Sequence, residues 1–287
     1  MNCKAAIAQI DCRVGALEQN FKHHMEFIDR AVEGGADLVL FPELSLTGYT
    51  LRDLAWDVAI NPRQNKLIGP LLEKSRRISI ALGFVESGTT HGIYNSAMFL
   101  EDGDIKHIHR KIYPPTYGMF EEGRYFSVGK TVTAFDSKLG RFGMLICEDL
   151  WHLSLPYLLA LDGAEAILCL TASPTRLSGE GTQFDNQRVN YEHHCTFARL
   201  LNVYLLFSNR VGFEDGVNFW GGSNVTSPGG DQVVSGSLQE ECLVYAGLDS
   251  NEVQRARRFS RHFLDERPEF VFETLRQQLN RDGREIR

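Results

Sequence analysis

Three side chains that could perform nucleophilic chemistry each follow a predicted β-strand. Cys147 ends the apolar run of GMLICEDLW and is a potential nucleophile. Glu43 comes after the apolar residues 38–41 and a proline, and because proline cannot donate to a strand ladder, the glutamate falls on the first turn after a buried strand. Lys111 follows the alternating segment 104–109, which predicts a strand that runs into a proline-broken loop. The ends of strands are where α/β proteins place their chemistry.

A carboxylate, an ammonium group and a thiol at neighbouring strand ends can together carry out acyl transfer. The glutamate can act as general base and form the thiolate at the moment of attack. The ammonium can stabilise a developing oxyanion and can lower the pKa of the thiol from its free value of ~8.5. The product is a thioester, which water cleaves with the same glutamate as base. The chain contains no Gly-x-Ser-x-Gly motif for a serine nucleophile.

Each of the three residues also has a structural interpretation. Cysteine is often buried without any chemical role, so Cys147 by itself fits ordinary packing. Glu43 fits a solvated loop, and Lys111 fits a surface position beside Arg110. The apolar neighbours of Glu43, such as Leu44, argue against solvation, because an acid among them must be paired or perturbed.

The alternation of strand and helix patterns predicts a layered α/β fold. The clearest helix carries apolar residues at spacings of three and four, at Leu17, Phe21, Met25, Ile28 and Val32. Consecutive strands near 95–109 and 132–147 add antiparallel hairpins to the parallel α/β pattern. The predicted strands are 4–10, 37–41, 78–86, 95–101, 104–109, 132–135, 142–147, 166–170, 203–209 and 242–247.

Composition and charge limit the classes of function. The chain has 287 residues, which favours one large domain. Its net charge of −7 and pI near 5.7 argue against a nucleic-acid partner. We see neither the h-region of a signal peptide nor an apolar run approaching the ~18 residues of a membrane span. Six cysteines without a Cys-x-x-Cys pair indicate a reducing compartment rather than disulfides or zinc, and hence the cytoplasm.

Two other patterns favour structural roles over ligand binding. His107 and His109 share a strand face and with a third ligand could bind a metal, but a structural role is the better interpretation. The segment 123–131 nearly matches a nucleotide P-loop but has five residues between its glycines, where four are needed. We therefore predict no metal and no cofactor.

Three segments resemble, in this order, the Glu, Lys and Cys motifs of the nitrilase (carbon–nitrogen hydrolase) superfamily: FPELSLTGY, HRKIYPP with EEGRYF, and GMLICEDLW. Later segments such as SNRVG and SPGG are also similar to landmarks of the family, so the resemblance covers nearly the whole chain. It implies a four-layer α-β-β-α sandwich. It also implies Glu43 as general base, Lys111 as stabiliser of the oxyanion and Cys147 as nucleophile.

The resemblance implies further roles beside these three residues. Glu122 matches a second glutamate that many members use to orient the substrate and the lysine, and the adjacent Glu121 competes for that role. The backbone N–H of Glu148, next to the thiol, would complete an oxyanion hole.

The predicted substrate is a small carboxamide, which is hydrolysed with release of ammonia. Within the superfamily the motifs are most similar to the glutaminase domain of glutamine-dependent NAD synthetases, yet the 287 residues contain no ATP-binding half. We therefore expect a stand-alone amidase, or a glutaminase subunit whose ammonia a separate synthetase accepts. Tyr49, Tyr117 and Trp151 are candidates for lining the substrate pocket, although core packing explains each of them equally well.

Several alternatives remain open at this stage. The same residues would serve a nitrilase or an N-carbamoyl amino acid hydrolase. Nitrilases usually carry Trp-Glu after the cysteine, whereas Glu148 and Asp149 follow it here, which favours an amide over a nitrile. A non-catalytic binding subunit that has kept the fold is the alternative from a different class.

The C-terminal segment predicts self-association. We assign residues 1–250 to the hydrolase domain and residues 251–287 to an extension that is mixed in charge and carries many apolar residues. Large apolar groups such as Phe270 and Leu275 are unfavourable when solvated on all sides, so the extension must cover its own domain or a neighbour. In the family that the chain resembles, this tail commonly reaches across a dimer. We therefore expect a homodimer or a higher even oligomer.

Overall fold

The computed structural model describes residues 1–89, 91–175 and 185–281, so the last six residues of the predicted extension lie outside the described residues. The described strands are β1 (Asn2–Gln9), β2 (Leu38–Leu40), β3 (Ser79–Ser87), β4 (Ile93–Glu101), β5 (Asp104–Arg110), β6 (Phe135–Ser137), β7 (Gly140–Ile146), β8 (Ala166–Thr171), β9 (Tyr204–Asn209), β10 (Val211–Glu214), β11 (Val217–Trp220), β12 (Asn224–Thr226), β13 (Gln232–Ser235) and β14 (Cys242–Asp249). The described α-helices are α1 (Leu17–Glu33), α2 (Ile68–Ser75), α3 (Glu122–Tyr125), α4 (Ser154–Leu161), α5 (Asp185–Leu201), α6 (Ser250–Phe259) and α7 (Pro268–Arg281). Two 3-10 turns, Arg52–Ala55 and Cys147–Trp151, complete these elements.

Twelve of these strands form two six-stranded sheets with the same mixed architecture. The first sheet has the order β14-β1-β2-β3-β4-β5, and the second has the order β13-β12-β9-β8-β7-β6. Strands β1, β2 and β3 run parallel in the first sheet, as β7, β8 and β9 do in the second. The carboxyl ends of parallel strands meet at one edge of a sheet, so residues that follow β2 and β7 can approach each other when the sheets are packed together.

The sheets pack face to face, and helices cover their outer faces. The inner core contains side chains of both sheets, among them Ile7, Leu40, Phe99, Met144 and Leu168. Helices α1 and α2 cover the first sheet, and α4 and α5 cover the second. The layers are therefore α-β-β-α, and the predicted fold class is confirmed.

Helix α1 follows its predicted range, but its most buried face is shifted from the predicted one. Of the predicted apolar face, Ile28 is fully buried, whereas Leu17, Phe21, Met25 and Val32 are half-buried against the core. The most deeply buried positions include two polar residues, which the apolar pattern did not select. These residues are Asn20 and His24. Asn20 donates to the carbonyl of Arg13, and His24 forms a hydrogen bond with Ser45.

Nine of the ten predicted strands are found close to their predicted ranges. The tenth, predicted at 132–135, is displaced and forms β6 at Phe135–Ser137. The four strands from β10 to β13 were not predicted, because each has only three or four residues and carries polar groups. No helix in the described part of the chain is long and apolar enough to cross a membrane.

Candidate active site

Glu43 lies just beyond β2 and is held on both of its carboxylate oxygens. It is 2% exposed. Its Oε1 accepts hydrogen bonds from Nζ of Lys111 at 2.7 Å and from Nδ2 of Asn95 at 2.8 Å. Its Oε2 accepts the backbone N–H of Ala172, at the end of β8, at 2.9 Å. The predicted pairing of this acid is therefore confirmed, and the carboxylate is fixed between the two sheets.

The loop that carries Glu43 depends on a close approach of two backbones. Leu44 has a positive φ of 47°, a conformation that costs energy for a residue with a Cβ. Gly83 on β3 lies against this turn, and a Cβ at Gly83 would come 2.3 Å from the backbone nitrogen of Leu44. A glycine is therefore required for the glutamate loop to close onto the sheet.

Lys111 follows β5 directly and bridges two buried carboxylates. Its Nζ donates to Oε1 of Glu43 and to Oε1 of Glu122, both at 2.7 Å, and the side chain is 1% exposed. Burial alone would lower the pKa of this amine, but the negative charges of Glu122 and Glu43 outweigh burial and raise the pKa well above its ordinary value. Lys111 is thus an ammonium group at neutral pH.

Glu122, and not its neighbour Glu121, faces this cluster. Glu121 is exposed, whereas Glu122 is buried and accepts the hydroxyl of Tyr49 at 2.5 Å and Nδ2 of Asn95 at 3.2 Å. Burial raises the pKa of the Glu122 carboxyl, Lys111 opposes the rise, and the charge of Glu43 adds to it. Of the two acids that the sequence left as candidates for contacting the lysine, only Glu122 does so in the structure.

Tyr49 is a hydrogen-bond donor to the cluster and is itself held in place. Burial and the nearby charge of Glu122 raise its pKa well above the usual value for tyrosine, so the hydroxyl stays protonated. The carboxylate of Glu214 accepts the backbone N–H groups of Tyr49 and Thr50. Glu214 pairs in turn with the buried guanidinium of Arg210. This chain of contacts fixes the tyrosine over Glu122.

Cys147 directly follows β7 and is the first residue of the 3-10 turn. Its φ is +47°, again in the left-handed region that residues with a Cβ rarely adopt. Burial raises the pKa of the thiol well above its ordinary value, the charge of Glu43 adds to the rise, and Lys111 only partly opposes it. Lys111 therefore lowers the thiol pKa as expected, but burial and Glu43 outweigh it, and the resting group is a neutral thiol.

Glu148 and Trp151, which follow Cys147, contact different parts of the structure. Glu148 lies in the first turn of the 3-10 helix, where backbone N–H groups lack intrahelical partners. Its side chain accepts the hydroxyl of Tyr117 at 2.7 Å, and Tyr117 is half exposed. Trp151 is 44% exposed and packs edge-on against His193, with ring centroids 4.5 Å apart.

No role was predicted for Asn95, which contacts the two carboxylates, or for Asp149, which contacts the backbone beside Lys111 and Cys147. Asp149 is fully buried and lies beside His109, with Oδ2 2.8 Å from Nε2 of the histidine. His107, which the sequence grouped with His109, instead stacks on Phe135 at a centroid distance of 4.4 Å. A polar residue within an apolar strand, as Asn95 is in β4, and an acid two positions after the thiol were the available signals.

Comparisons with known proteins identify the family of this chain. The carbon–nitrogen hydrolase family matches residues 4–258. A glutamine-dependent NAD(+) synthetase of Acinetobacter baylyi is 31% identical over 246 residues, which cover 86% of this chain but 44% of the synthetase. This chain therefore spans less than half the length of that relative.

Two further proteins are similar over their whole length. A citrullinase of Francisella tularensis is 31% identical over 290 residues, covering 96% of this chain and 99% of the citrullinase. The crystal structure of a carbon–nitrogen hydrolase from Helicobacter pylori superposes with a TM-score of 0.85, at 22% identity and over 96% of this chain and 99% of that one. This chain belongs to the carbon–nitrogen hydrolase family, that is, to the nitrilase superfamily, and is an enzyme of that family.

Proposed function

We propose that the protein hydrolyses an amide-type C–N bond in a small molecule through Cys147, Glu43 and Lys111, with a thioester intermediate and release of ammonia. The observation that carries the proposal is the buried Lys111 ammonium, which contacts two carboxylates while its charge acts on the thiol. A protein that only needed a stable core would gain little from burying three charges, because desolvation offsets their attraction.

In the acylation step, Glu43 removes the proton from Sγ of Cys147 as the sulfur attacks the substrate carbonyl carbon. The neutral resting thiol makes this base necessary, because a neutral thiol is a poor nucleophile. Lys111 and the backbone N–H of Glu148 stabilise the negative charge on the carbonyl oxygen. The tetrahedral intermediate then expels the amine, which takes the proton from Glu43 and leaves as ammonia.

In the deacylation step, Glu43 accepts a proton from a water molecule that attacks the thioester. The collapse of the second tetrahedral intermediate releases the acid and returns the proton to the sulfur. Glu122 keeps Lys111 in place through both steps, and Tyr49 and Asn95 hold Glu122 by donating to its two oxygens.

We propose that Tyr49, Tyr117 and Trp151 line the pocket through which the substrate reaches Cys147. Tyr49 donates to Glu122, Tyr117 donates to Glu148, and Trp151 extends from the turn that begins at the nucleophile. Aromatic side chains with one polar group suit a small polar substrate that is enclosed on its apolar part.

Two substrates are supported by particular relatives. The NAD(+) synthetase relatives support hydrolysis of the side-chain amide of glutamine, with the ammonia passed to a separate synthetase. Hydrolysis of a terminal ureido group is supported by the citrullinase, which this chain matches over its whole length. Both groups present a planar carbonyl carbon that bears NH₂, so the same thiol attack serves either.

A substrate panel with measured ammonia release tests the proposal. The panel contains glutamine, citrulline, short aliphatic amides, an N-carbamoyl amino acid and a nitrile. Cys147→Ala should abolish release while the protein stays folded, and Cys195→Ala, which removes a half-buried thiol on α5, should leave it intact. Near-normal turnover by Cys147→Ala would overturn the mechanism. A rise in glutamine turnover on adding a synthetase would support the glutaminase role.

We also propose that the protein assembles as a homodimer or a higher even oligomer. Support comes from large exposed apolar side chains at α4 and just before it, which include Leu153 at 68% and Leu158 at 46% exposure. Helix α7 buries none of its described residues, and its Phe272 is 63% exposed. Surfaces of this kind are unfavourable in water unless they are covered. Light scattering that gives a particle of about one chain mass at micromolar concentration would contradict the proposal.

A further inference from the structure

We propose that Asp149 and His109 form a positioning pair, which fixes the turn carrying the Cys147 thiol against the loop carrying the Lys111 ammonium. The inference rests on the proposed function and adds to it the two residues that hold the two catalytic loops together. Neither residue is a proposed site for substrate, since both are buried.

The Asp149 carboxylate accepts hydrogen bonds from residues on both sides of Lys111. Its Oδ1 accepts the backbone N–H groups of Ile112 and Tyr113, which directly follow the lysine, both at 3.0 Å. Its Oδ2 accepts Nε2 of His109, two residues before the lysine, at 2.8 Å. Three donors that bracket one lysine within five residues leave its backbone little freedom.

The same carboxylate also accepts a hydrogen bond from the turn that carries Cys147. Oδ2 accepts the backbone N–H of Ile146, the residue before Cys147, at 3.2 Å. Asp149 itself follows Cys147 by two residues, so its own backbone belongs to this turn. The strained φ of Cys147 needs such support, because a left-handed residue with a Cβ persists only where its surroundings fix it.

The pair also joins the two sheets. His109 lies on β5, the edge strand of the first sheet, and Asp149 lies in the 3-10 turn that follows β7 of the second. A second contact supports the same junction, because the ring of Tyr113 stacks on the ring of His152 with an interplanar angle of 7°. Loss of the carboxylate would therefore let the thiol and the ammonium move relative to each other.

The test compares Asp149→Asn with Glu101→Gln. Glu101 is a suitable control, because it is another buried carboxylate that accepts three hydrogen bonds, from Ser79, Ser137 and the backbone of Lys138. Both variants should lower the melting temperature. Only Asp149→Asn should lower kcat, by about 100-fold with KM little changed, since misplacement of a catalytic group by about 1 Å costs this much. Equal kcat in the two variants would overturn the inference.

A second pair of variants serves if Asp149→Asn does not fold. His109→Gln keeps a nitrogen donor near the position of Nε2, whereas His109→Leu removes it. We expect His109→Gln to retain more than a third of kcat and His109→Leu to lose at least ten-fold. Equal losses in the two variants would show that the donor to Asp149 does not position the site.

A measurement without substrate separates this inference from the proposed function. The rate of alkylation of Cys147 by iodoacetamide, followed by mass spectrometry, reports how well Glu43 can take the thiol proton. We expect at least a ten-fold fall in Asp149→Asn and no fall in Glu101→Gln. This outcome would support the positioning pair even if no member of the substrate panel were hydrolysed, and an unchanged rate in Asp149→Asn would contradict it.

Discussion

Oε2 of Glu43 accepts the backbone N–H of Ala172 at 2.9 Å, and this bond joins a loop of the first sheet to the end of β8 in the second. The other oxygen is occupied by Lys111 and Asn95. Hydrogen bonds to both oxygens hold the carboxylate in one orientation. In the proposed mechanism this fixed carboxylate is the base for Cys147, and the first prediction tests that role.

Glu43→Gln should change turnover and thiol acidity in opposite directions. Turnover should fall by about 10³-fold, because the amide cannot act as a general base. The pKa of Cys147 should fall as well, since the charge of Glu43 is one of the causes that raise it. Ammonia release measures the first effect, and the pH dependence of iodoacetamide labelling measures the second. Near-normal turnover of Glu43→Gln would overturn the assignment of Glu43 as base, and an unchanged thiol pKa would show that its charge does not act on Cys147.

Lys111→Met should destabilise the protein strongly, because it leaves the buried carboxylates Glu43 and Glu122 without their common cation. We expect a loss of about 3–5 kcal/mol in the free energy of unfolding at pH 7. The uncompensated carboxyls would bind protons more tightly when folded than when unfolded, so the loss should shrink as the pH falls toward ~4.3. Urea denaturation at several pH values measures both effects.

A surface lysine provides the control for this prediction. Lys138 forms an ion pair with Asp102 in which both side chains are largely exposed. Water and salt screen such a pair, so Lys138→Met should leave the free energy of unfolding nearly unchanged. Similar losses in the two methionine variants would show that burial of the Lys111 charge does not carry the stability effect.

The sequence was sufficient to locate the three strand ends that carry Glu43, Lys111 and Cys147. Short apolar runs that stop at a polar residue mark the ends of buried strands, and this pattern does not depend on tertiary contacts. The choice between Glu121 and Glu122 did depend on tertiary contacts, because Glu121 precedes the short helix α3 and Glu122 begins it, so the two side chains meet different surroundings. Their side chains differ in burial and not in type.

The electrostatics of the site could not be predicted in the same way. A lysine near a thiol suggests a lowered pKa, but burial and Glu43 raise the pKa of Cys147 more than Lys111 lowers it. The contacts of Asp149 could not be predicted either, because its partners His109 and Ile112 lie about 40 residues away in the chain. Burial and long-range pairing are properties of the fold, and a single sequence does not state them.

Gly83→Ala should impair catalysis through the backbone alone. The added Cβ would come 2.3 Å from the backbone nitrogen of Leu44 and 2.7 Å from the carbonyl oxygen of Pro42, so the loop that carries Glu43 must shift. We expect kcat to fall by about 100-fold, the cost of a 1 Å misplacement. Gly247→Ala on β14, where a Cβ meets nothing within 4 Å, should retain normal kcat. A Gly83→Ala variant with normal kcat would show that the loop tolerates the displacement.

The last prediction concerns stability in acid and depends on three histidines, of which His24 and His194 are fully buried and His107 is half-buried. Burial lowers the pKa of His24 and His107 to about 4 and that of His194 to about 3. The unfolded chain therefore takes up protons on these residues below ~6.5, whereas the folded chain does not. Stability should be fully present above this pH and should fall as the pH drops toward 4, by up to about 1.4 kcal/mol per pH unit for each histidine.

His24→Gln isolates one of these contributions. His24 contacts the carbonyl of Asn20 through Nδ1 and the hydroxyl of Ser45 through Nε2, and glutamine offers both a donor and an acceptor there. The variant is expected to lose some stability at pH 7, so the comparison is between slopes. Urea denaturation from pH 7 to pH 5 should give a shallower slope for His24→Gln than for the parent protein. The exposed His262→Gln should keep the parent slope, and equal slopes in all three proteins would mean that proton uptake by His24 does not limit stability in acid.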